Sequence, residues 1–152
     1  MRLGRYAVPQ VYEKGERDFR IGKGIVVSDG SDVAIIATGI MVSAAIEARR
    51  LLAEKGIDAA VLDIHTVKPL DNELVLRYAA KTGAVVTAEE HTVIGGLGDA
   101  VASLLAQNGG AKLRKLGVED VFGTSAPAGV LLEYFGLTAD GIAAKALEVL
   151  GK

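Results

Sequence analysis

Residues 32–64, DVAIIATGIMVSAAIEARRLLAEKGIDAAVLDI, decide the fold of this 152-residue chain. The first six residues are rich in β-branched side chains and Asp58–Ile64 is a nearly continuous apolar run, so both predict buried strands. Between them, Met41–Lys55 is rich in Ala, Leu, Arg and Glu and is followed by Gly56, which predicts a helix with a glycine stop. A strand, a crossover helix and a second strand form the unit from which parallel sheets are built.

The same alternation of strands and helices continues to the end of the chain. Asp71 is suited to cap the next helix, and Gly83 to end it. The remaining elements are predicted as strands at Ala84–Ala88 and Lys112–Val118, and as helices at Asn72–Lys81, Gly98–Asn108, Pro127–Phe135 and Thr138–Leu150.

An antiparallel strand is predicted at one edge of the sheet. Gly24–Ser28 and Asp32–Ala37 are β-branched runs separated by Asp29-Gly30-Ser31, and Asp-Gly favours a tight hairpin turn. The fold class is therefore α/β: a three-layer α/β/α domain with an about five-stranded, mostly parallel sheet and one antiparallel edge strand.

Residues 1–23 differ in character from residues 24–152. They are rich in Arg, Gly, Glu and Lys, Pro9 interrupts them, and no helical or strand period persists. We interpret residues 1–23 as a tail or linker and residues 24–152 as the domain.

The composition excludes several classes of function. The 17 Lys and Arg residues and 19 Asp and Glu residues are spread along the chain, so no basic stripe predicts nucleic-acid binding. No apolar run approaches the roughly 20 residues needed to cross a bilayer. Without cysteine there is neither a disulfide framework nor a thiolate nucleophile, and no signal-peptide core is visible, so we expect a cytoplasmic protein.

Ligands of open α/β sheets bind at the carboxyl ends of strands, which directs attention to three segments. Thr38-Gly39 follows the first buried strand and is interpreted as a tight turn into the helix rather than an anion cradle. His65 follows the second, where no Asp or Glu can be placed beside it, so a hydrogen-bonded structural histidine is the favoured interpretation.

The third segment combines acids, an imidazole and glycines ahead of a helix. Its candidate functional residues are Glu89, Glu90, His91, Gly95, Gly96 and Gly98. Consecutive residues of an extended chain point to opposite sides, which argues against convergence of all three polar groups on one metal ion. The GGxG spacing differs from a dinucleotide fingerprint and favours close helix packing.

Together these segments resemble a known family. Asp63–Asp71 (DIHTVKPLD), Ala88–Gly98 (AEEHTVIGGLG) and Val121–Thr124 (VFGT), with Thr38-Gly39 before them, are similar to the C-terminal domain of transketolases, deoxyxylulose phosphate synthases and the beta subunits of 2-oxoacid dehydrogenases. The resemblance covers the chain from about residue 24 and is closest to a transketolase C-terminal section.

The resemblance extends into residues 1–23. Arg2-Leu3-Gly4-Arg5 and Val8-Pro9 are similar to the end of the family's preceding pyrimidine-binding domain. An arginine at the position matching Arg5 contacts the substrate phosphate there, a role that suits a forked guanidinium. In the isolated chain we expect Arg5 to be a solvated side chain.

The resemblance also implies what other domains must supply. Family members transfer ketol groups between sugar phosphates with thiamine diphosphate and magnesium, but this chain has no Gly-Asp-Gly metal motif. We therefore expect no catalytic residue, cofactor or metal in this chain. The expected partners are the pyrimidine-binding and diphosphate-binding domains, within a homodimer of the whole enzyme.

Two other functions remain open from the sequence. One is a docking module from a 2-oxoacid dehydrogenase beta subunit, with which the Lys68–Asp71 and Glu89-Glu90 segments are equally compatible. The other is an autonomous small enzyme using His65 or His91, which the absence of an evident partner for either imidazole disfavours.

Overall fold

The computed structural model describes residue 4 and residues 7–13, 15 and 19–152. Arg5, the predicted phosphate contact, lies outside the described residues. The elements in chain order are β1 (Ile25–Ser28), β2 (Val33–Ala37), α1 (Met41–Ala53), β3 (Ala59–Asp63), α2 (Asn72–Thr82), β4 (Ala84–Thr92), α3 (Leu97–Asn108), β5 (Lys112–Val118), α4 (Ala128–Tyr134) and α5 (Ala139–Leu150). The predicted elements are all present, and β4 runs four residues beyond the predicted end.

The strands form one five-stranded sheet in the order β1-β3-β2-β4-β5. β3, β2, β4 and β5 run parallel to one another, while β1 runs antiparallel to β3. The predicted three-layer α/β fold with one antiparallel edge strand is confirmed.

The predicted hairpin between β1 and β2 is wrong, because β1 pairs with β3 instead. The connection passes over the start of β3, where the backbone amides of Ser31 and Asp32 both donate to the Asp58 carbonyl, at 3.0 and 2.9 Å. A Cβ on Gly30 would lie 2.3 Å from the Ala59 carbonyl carbon. The Asp-Gly sequence thus serves a close crossing of two backbones rather than a tight turn.

Helices cover both faces of the sheet, and alternate residues of β2 show how. Ile35 and its same-face neighbours pack against α1 and α5, whereas Ile36 packs against α2 and α3. Both isoleucines are fully buried, which stabilises the fold by about 1.5–3 kcal/mol for each side chain.

The start and end of α2 follow the sequence prediction. The Asp71 carboxylate accepts the Leu74 amide at 3.2 Å, and Gly83 ends the helix in the left-handed conformation with φ of 65°. This left-handed position favours glycine. Both predictions are confirmed.

The N-terminal segment contacts the domain. Val11 packs against the cluster beneath α1, and the Tyr12 hydroxyl donates to Asp63 Oδ2 at 2.9 Å. The interpretation of residues 1–23 as a linker stays a prediction. Within the described residues, no helix has the length and apolarity needed to cross a membrane.

Candidate functional site: the carboxyl edge of the sheet

Glu89 lies near the end of β4 and reaches the first turn of α3. Its side chain is buried, with 4% of the residue exposed. Oε2 accepts the Leu97 amide and Oε1 accepts the Gly98 amide, both at 2.8 Å. These amides are among those that a helix N-terminus leaves unpaired, and a carboxylate there also interacts favourably with the helix dipole. Glu89 is therefore a cap for α3, supplied from a neighbouring strand.

Glycines around the start of α3 make room for neighbouring side chains. A Cβ on Gly96 would lie 2.0 Å from Glu89 Oε2, and one on Gly98 would lie 2.6 Å from Lys115 Cδ. Gly95 has φ of 78° and donates its amide to Asp99 Oδ2 at 2.6 Å. The prediction that the glycines serve close helix packing is confirmed at Gly96 and Gly98.

Glu90 and His91 lie apart from the buried carboxylate of Glu89. Both are exposed, and both line a groove on the protein surface. The pairing register of β4 with β5 shifts between Ala88 and Thr92, which turns these side chains outward. His91 Nδ1 lies 3.0 Å from the Thr92 carbonyl oxygen but 3.9 Å from Glu89 Oε2, beyond hydrogen-bonding distance.

The Glu89 carboxylate is buried against the start of α3, whereas Glu90 and His91 are exposed. Within the described part of the chain, no group of three His, Asp or Glu side chains could hold a metal ion. Both oxygens of Glu89 already accept helix amides. The donor set therefore does not fit a magnesium-bound diphosphate.

The groove beside Glu90 and His91 has a volume of about 730 Å³ and was not predicted from the sequence. Its floor is apolar and includes Leu131, Leu132 and Phe135 from α4 and the residue that follows it, while acidic side chains line its rim. α4 has no buried residue at all. The feature of the sequence that could have indicated this groove is a short apolar helix after a long stretch without secondary structure.

His65 lies at the carboxyl end of β3, in the predicted type of structural environment. Its Nδ1 lies 2.9 Å from Thr66 Oγ1, and its ring packs on Phe19 with centroids 4.2 Å apart. The charge of His65 lowers the pKa of Asp63, two residues earlier, but His65 Nε2 and Asp63 Oδ1 are both buried without a hydrogen-bond partner among the described residues.

Asp63 is another buried acid of this edge, with 7% of the residue exposed. Its Oδ2 accepts the Tyr12 hydroxyl at 2.9 Å. Burial raises the pKa of Asp63, and the Tyr12 hydrogen bond and the charge of His65 lower it in part.

Thr38-Gly39 forms the tight turn that was predicted. Gly39 has φ of 59°, and the Met41 amide donates to the Thr38 carbonyl at 3.2 Å. The backbone groups of this turn therefore serve the entry into α1.

The strand order, the reversed edge strand and the helix capped from β4 define a class: three-layer α/β domains with a largely parallel sheet. The chain belongs to the family described as the C-terminal domain of transketolase, whose model matches residues 22–142.

Relatives within this family are both curated proteins and solved structures. The chain is 52% identical over 142 residues to the 6-deoxy-6-sulfo-D-fructose transketolase subunit of Clostridium sp. (strain MSTE9), covering 93% of this chain and 44% of that protein. It is 42% identical over 154 residues to a putative transketolase C-terminal section from Methanocaldococcus jannaschii, covering 100% of this chain and 48% of that protein.

One solved structure, described as a split-gene transketolase in an inactive β4 tetramer, is 47% identical with a TM-score of 0.92. The match covers 97% of this chain and 48% of the chain in that structure. The chain thus spans about half the length of each of these relatives.

Proposed function

We propose that this chain is the third domain of a thiamine-diphosphate-dependent transketolase, and that it serves assembly of the enzyme rather than catalysis. The observation that carries the proposal is an uncovered apolar surface at the carboxyl edge of a transketolase C-terminal domain. Cytoplasm is the compartment we propose for it, consistent with a chain that has no cysteine.

The uncovered surface consists of the loop after β5 and the outer side of α4. Val121 is 59% exposed, Phe122 102%, Val130 53% and Tyr134 71%. Exposed apolar surface of this kind typically marks interaction sites, and burying one such side chain contributes about 1.5–3 kcal/mol. We assign this surface to contacts with the pyrimidine-binding and diphosphate-binding domains, in a homodimer of the whole enzyme.

The charge of the edge supports placing the cofactor on those partner domains. Thiamine diphosphate supplies the electron sink for ketol transfer when bound, and its diphosphate is anionic. The rim of the groove carries Glu90, Glu119 and Asp120, which repel an anion. In this proposal the coenzyme and magnesium are therefore bound elsewhere, and this chain holds neither.

The relatives favour a transketolase over a dehydrogenase docking module. Two are named transketolase subunits, from Clostridium and from Phocaeicola vulgatus, and the solved relative is described as an inactive assembly of a split-gene transketolase. An enzyme divided between polypeptides accounts for both descriptions. Arg5 is proposed to contact the substrate phosphate in the complete enzyme only.

Reconstitution tests the proposal. The purified chain is mixed with polypeptides carrying the two other domains, thiamine diphosphate and magnesium, and ketol transfer between sugar phosphates is measured. We expect activity in the mixture and none from this chain alone. Magnesium-dependent uptake of the coenzyme by the isolated chain, seen by calorimetry, would contradict the proposal.

A matched pair of variants tests the assigned surface. Phe122→Ser removes the most exposed aromatic side chain among the described residues, whereas Ile46→Ser removes an apolar side chain from α1, where Ile46 is 37% exposed. We expect Phe122→Ser to weaken association with the partner domains at least tenfold, which corresponds to about 1.4 kcal/mol. Equal weakening by both variants would show that this surface is not the contact.

A further inference from the structure

The groove at the carboxyl edge combines an apolar floor with an acidic rim. Leu132 and Phe135 pack against the apolar cluster beneath α1, while Leu131 lines the groove outside that cluster. All three side chains are half-buried, so the core holds the floor in place while the floor still presents apolar surface. The volume of about 730 Å³ lies within the roughly 300–1,000 Å³ of binding clefts.

The rim carries charge of one sign. The described residues that line the groove include the carboxylates of Glu90, Glu119 and Asp120, and neither Lys nor Arg. Glu119 and Asp120 are consecutive and exposed in the loop after β5, where their like charges repel each other. Glu90 has another interaction within the chain, so the inference depends on Glu119 and Asp120.

Floor and rim together select the chemistry of an occupant. An apolar side chain is stabilised on the floor because it leaves water, and a Lys or Arg beside it is attracted to the rim carboxylates. An anionic segment satisfies neither part of the groove. The occupant that fits is a polypeptide segment in which Lys or Arg flanks an apolar side chain, as in interfaces with an apolar centre and a polar rim.

The position of the groove indicates which domain supplies this segment. Ile25 pairs with Asp63 at the end of β3, so residue 24 lies at the same edge of the sheet as the groove. Four strand spacings separate β1 from β5, about 19 Å, which is less than the roughly 30 Å diameter of a small domain. A domain joined ahead of residue 24 can therefore cover the groove, and the unmatched half of each relative is long enough for one.

We propose that the groove receives a segment of the pyrimidine-binding domain, which places an apolar side chain on Leu131 and Lys or Arg side chains against Glu119 and Asp120. This inference rests on the proposed assembly with that domain and adds the chemistry of the contact. Opposite charges raise the rate of association and are screened by salt, whereas an apolar contact slows dissociation. Kinetics therefore separates the rim from the floor.

A matched pair of double variants tests the rim. Glu119→Gln with Asp120→Asn neutralises it. Glu54→Gln with Glu73→Gln removes the same charge from exposed side chains after α1 and on α2. Surface plasmon resonance measures association with a polypeptide carrying the pyrimidine-binding domain at about 0.01 M and about 1 M salt, where the screening lengths are roughly 30 and 3 Å. We expect the rim variant to associate about tenfold more slowly than wild type at low salt only, and the control to associate like wild type.

Leu131→Ser tests the floor. Leu131 lies outside the core cluster, so we expect its circular dichroism spectrum to match that of the wild type. Dissociation should become about tenfold faster at both salt concentrations, because salt does not screen an apolar contact. Ile46→Ser, on α1, is the control and should dissociate like wild type. Equal dissociation rates in the two variants would contradict the assigned floor.

The outcomes distinguish this inference from the proposed function. If the wild-type chain associates and ketol transfer is reconstituted, but the rim variant associates like its control at low salt, the assembly stands and the basic occupant is wrong. The occupant is also wrong if the salt-dependent contact forms with the polypeptide carrying the diphosphate-binding domain instead. If neither polypeptide associates with the chain, the proposed function fails and this inference fails with it.

Discussion

The N-termini of α2 and α3 are both capped by a carboxylate, but from different distances along the chain. Asp71 immediately precedes α2 and accepts the Leu74 amide. Glu89 lies on β4, eight residues before Leu97, and accepts two amides at the start of α3. The first contact joins residues three apart in the sequence, whereas the second forms only once β4 and α3 have packed together.

The difference shows how a structural acid can resemble a catalytic one. Glu89 is buried, lies at the carboxyl edge of a parallel sheet and is adjacent to Glu90 and His91. Each of these features is typical of active sites. Its two amide partners instead show that Glu89 holds α3 against β4. Four variants compare this cap with that of α2, and the largest expected effect comes first.

Glu89→Ala is expected to have the largest effect on stability. It removes two charge-assisted hydrogen bonds and leaves two helix amides buried without partners, which destabilises the fold by about 3–5 kcal/mol. Chemical denaturation measures the free energy of unfolding. Glu89→Gln is the control of matched shape: it keeps one acceptor oxygen and is expected to lose about half as much. A loss below about 1 kcal/mol in Glu89→Ala would mean that the cap is not important.

Gly96→Ala should destabilise the fold by about 2 kcal/mol, because its Cβ would lie 2.0 Å from Glu89 Oε2 and the carboxylate must move. A double-mutant cycle measures the coupling. In the Glu89→Ala background the methyl group meets no carboxylate, so we expect the second substitution to cost less than 0.5 kcal/mol by the usual range for unstrained surface changes. Additive effects would contradict the assigned role of Gly96.

Asp71→Ala is expected to cost about 1–2 kcal/mol, the usual range for loss of an N-cap side chain. Asp71 also accepts the Gly24 amide at 3.0 Å, which places the expected loss towards the upper end. Denaturation under the same conditions compares it directly with Glu89→Ala. A larger loss from Asp71→Ala than from Glu89→Ala would reverse the comparison between the two caps.

Asp99→Asn is expected to have the smallest effect, and one that depends on pH. The hydrogen bonds from Lys115 and the Gly95 amide lower the pKa of Asp99, so its stabilising effect is present above the ordinary pKa of 3.8 and is lost as the pH falls through the lowered value. The difference in melting temperature from wild type should therefore be constant between pH 7 and 5 and shrink below 3.8. A difference that grows on acidification would contradict this assignment.

The elements and caps that depend on neighbouring residues were predictable from the sequence. Asp71 and Gly83 bracket α2 through contacts within a few residues, and the buried runs of β2 and β3 are readable from composition. The partner of β1 was not predictable, because Asp29-Gly30 satisfies the local rule for a hairpin while the contact of Gly30 with Ala59 is long-range. The hydrogen-bond partners of Glu89 and Asp63 were not predictable either, because they lie on other elements of the chain.

The reversed direction of β1 determines where the N-terminal end of the domain emerges. Ile25 pairs with Asp63, so residue 24 lies at the carboxyl edge; a parallel β1 would have begun at the opposite edge, about 13 Å away. α5 carries the C-terminal end of the domain away from the carboxyl edge. Leu137, just before α5, lines the groove, whereas Glu148 near its end contacts Arg114 near the start of β5. A fluorophore or affinity tag fused after Lys152 would therefore leave the groove accessible.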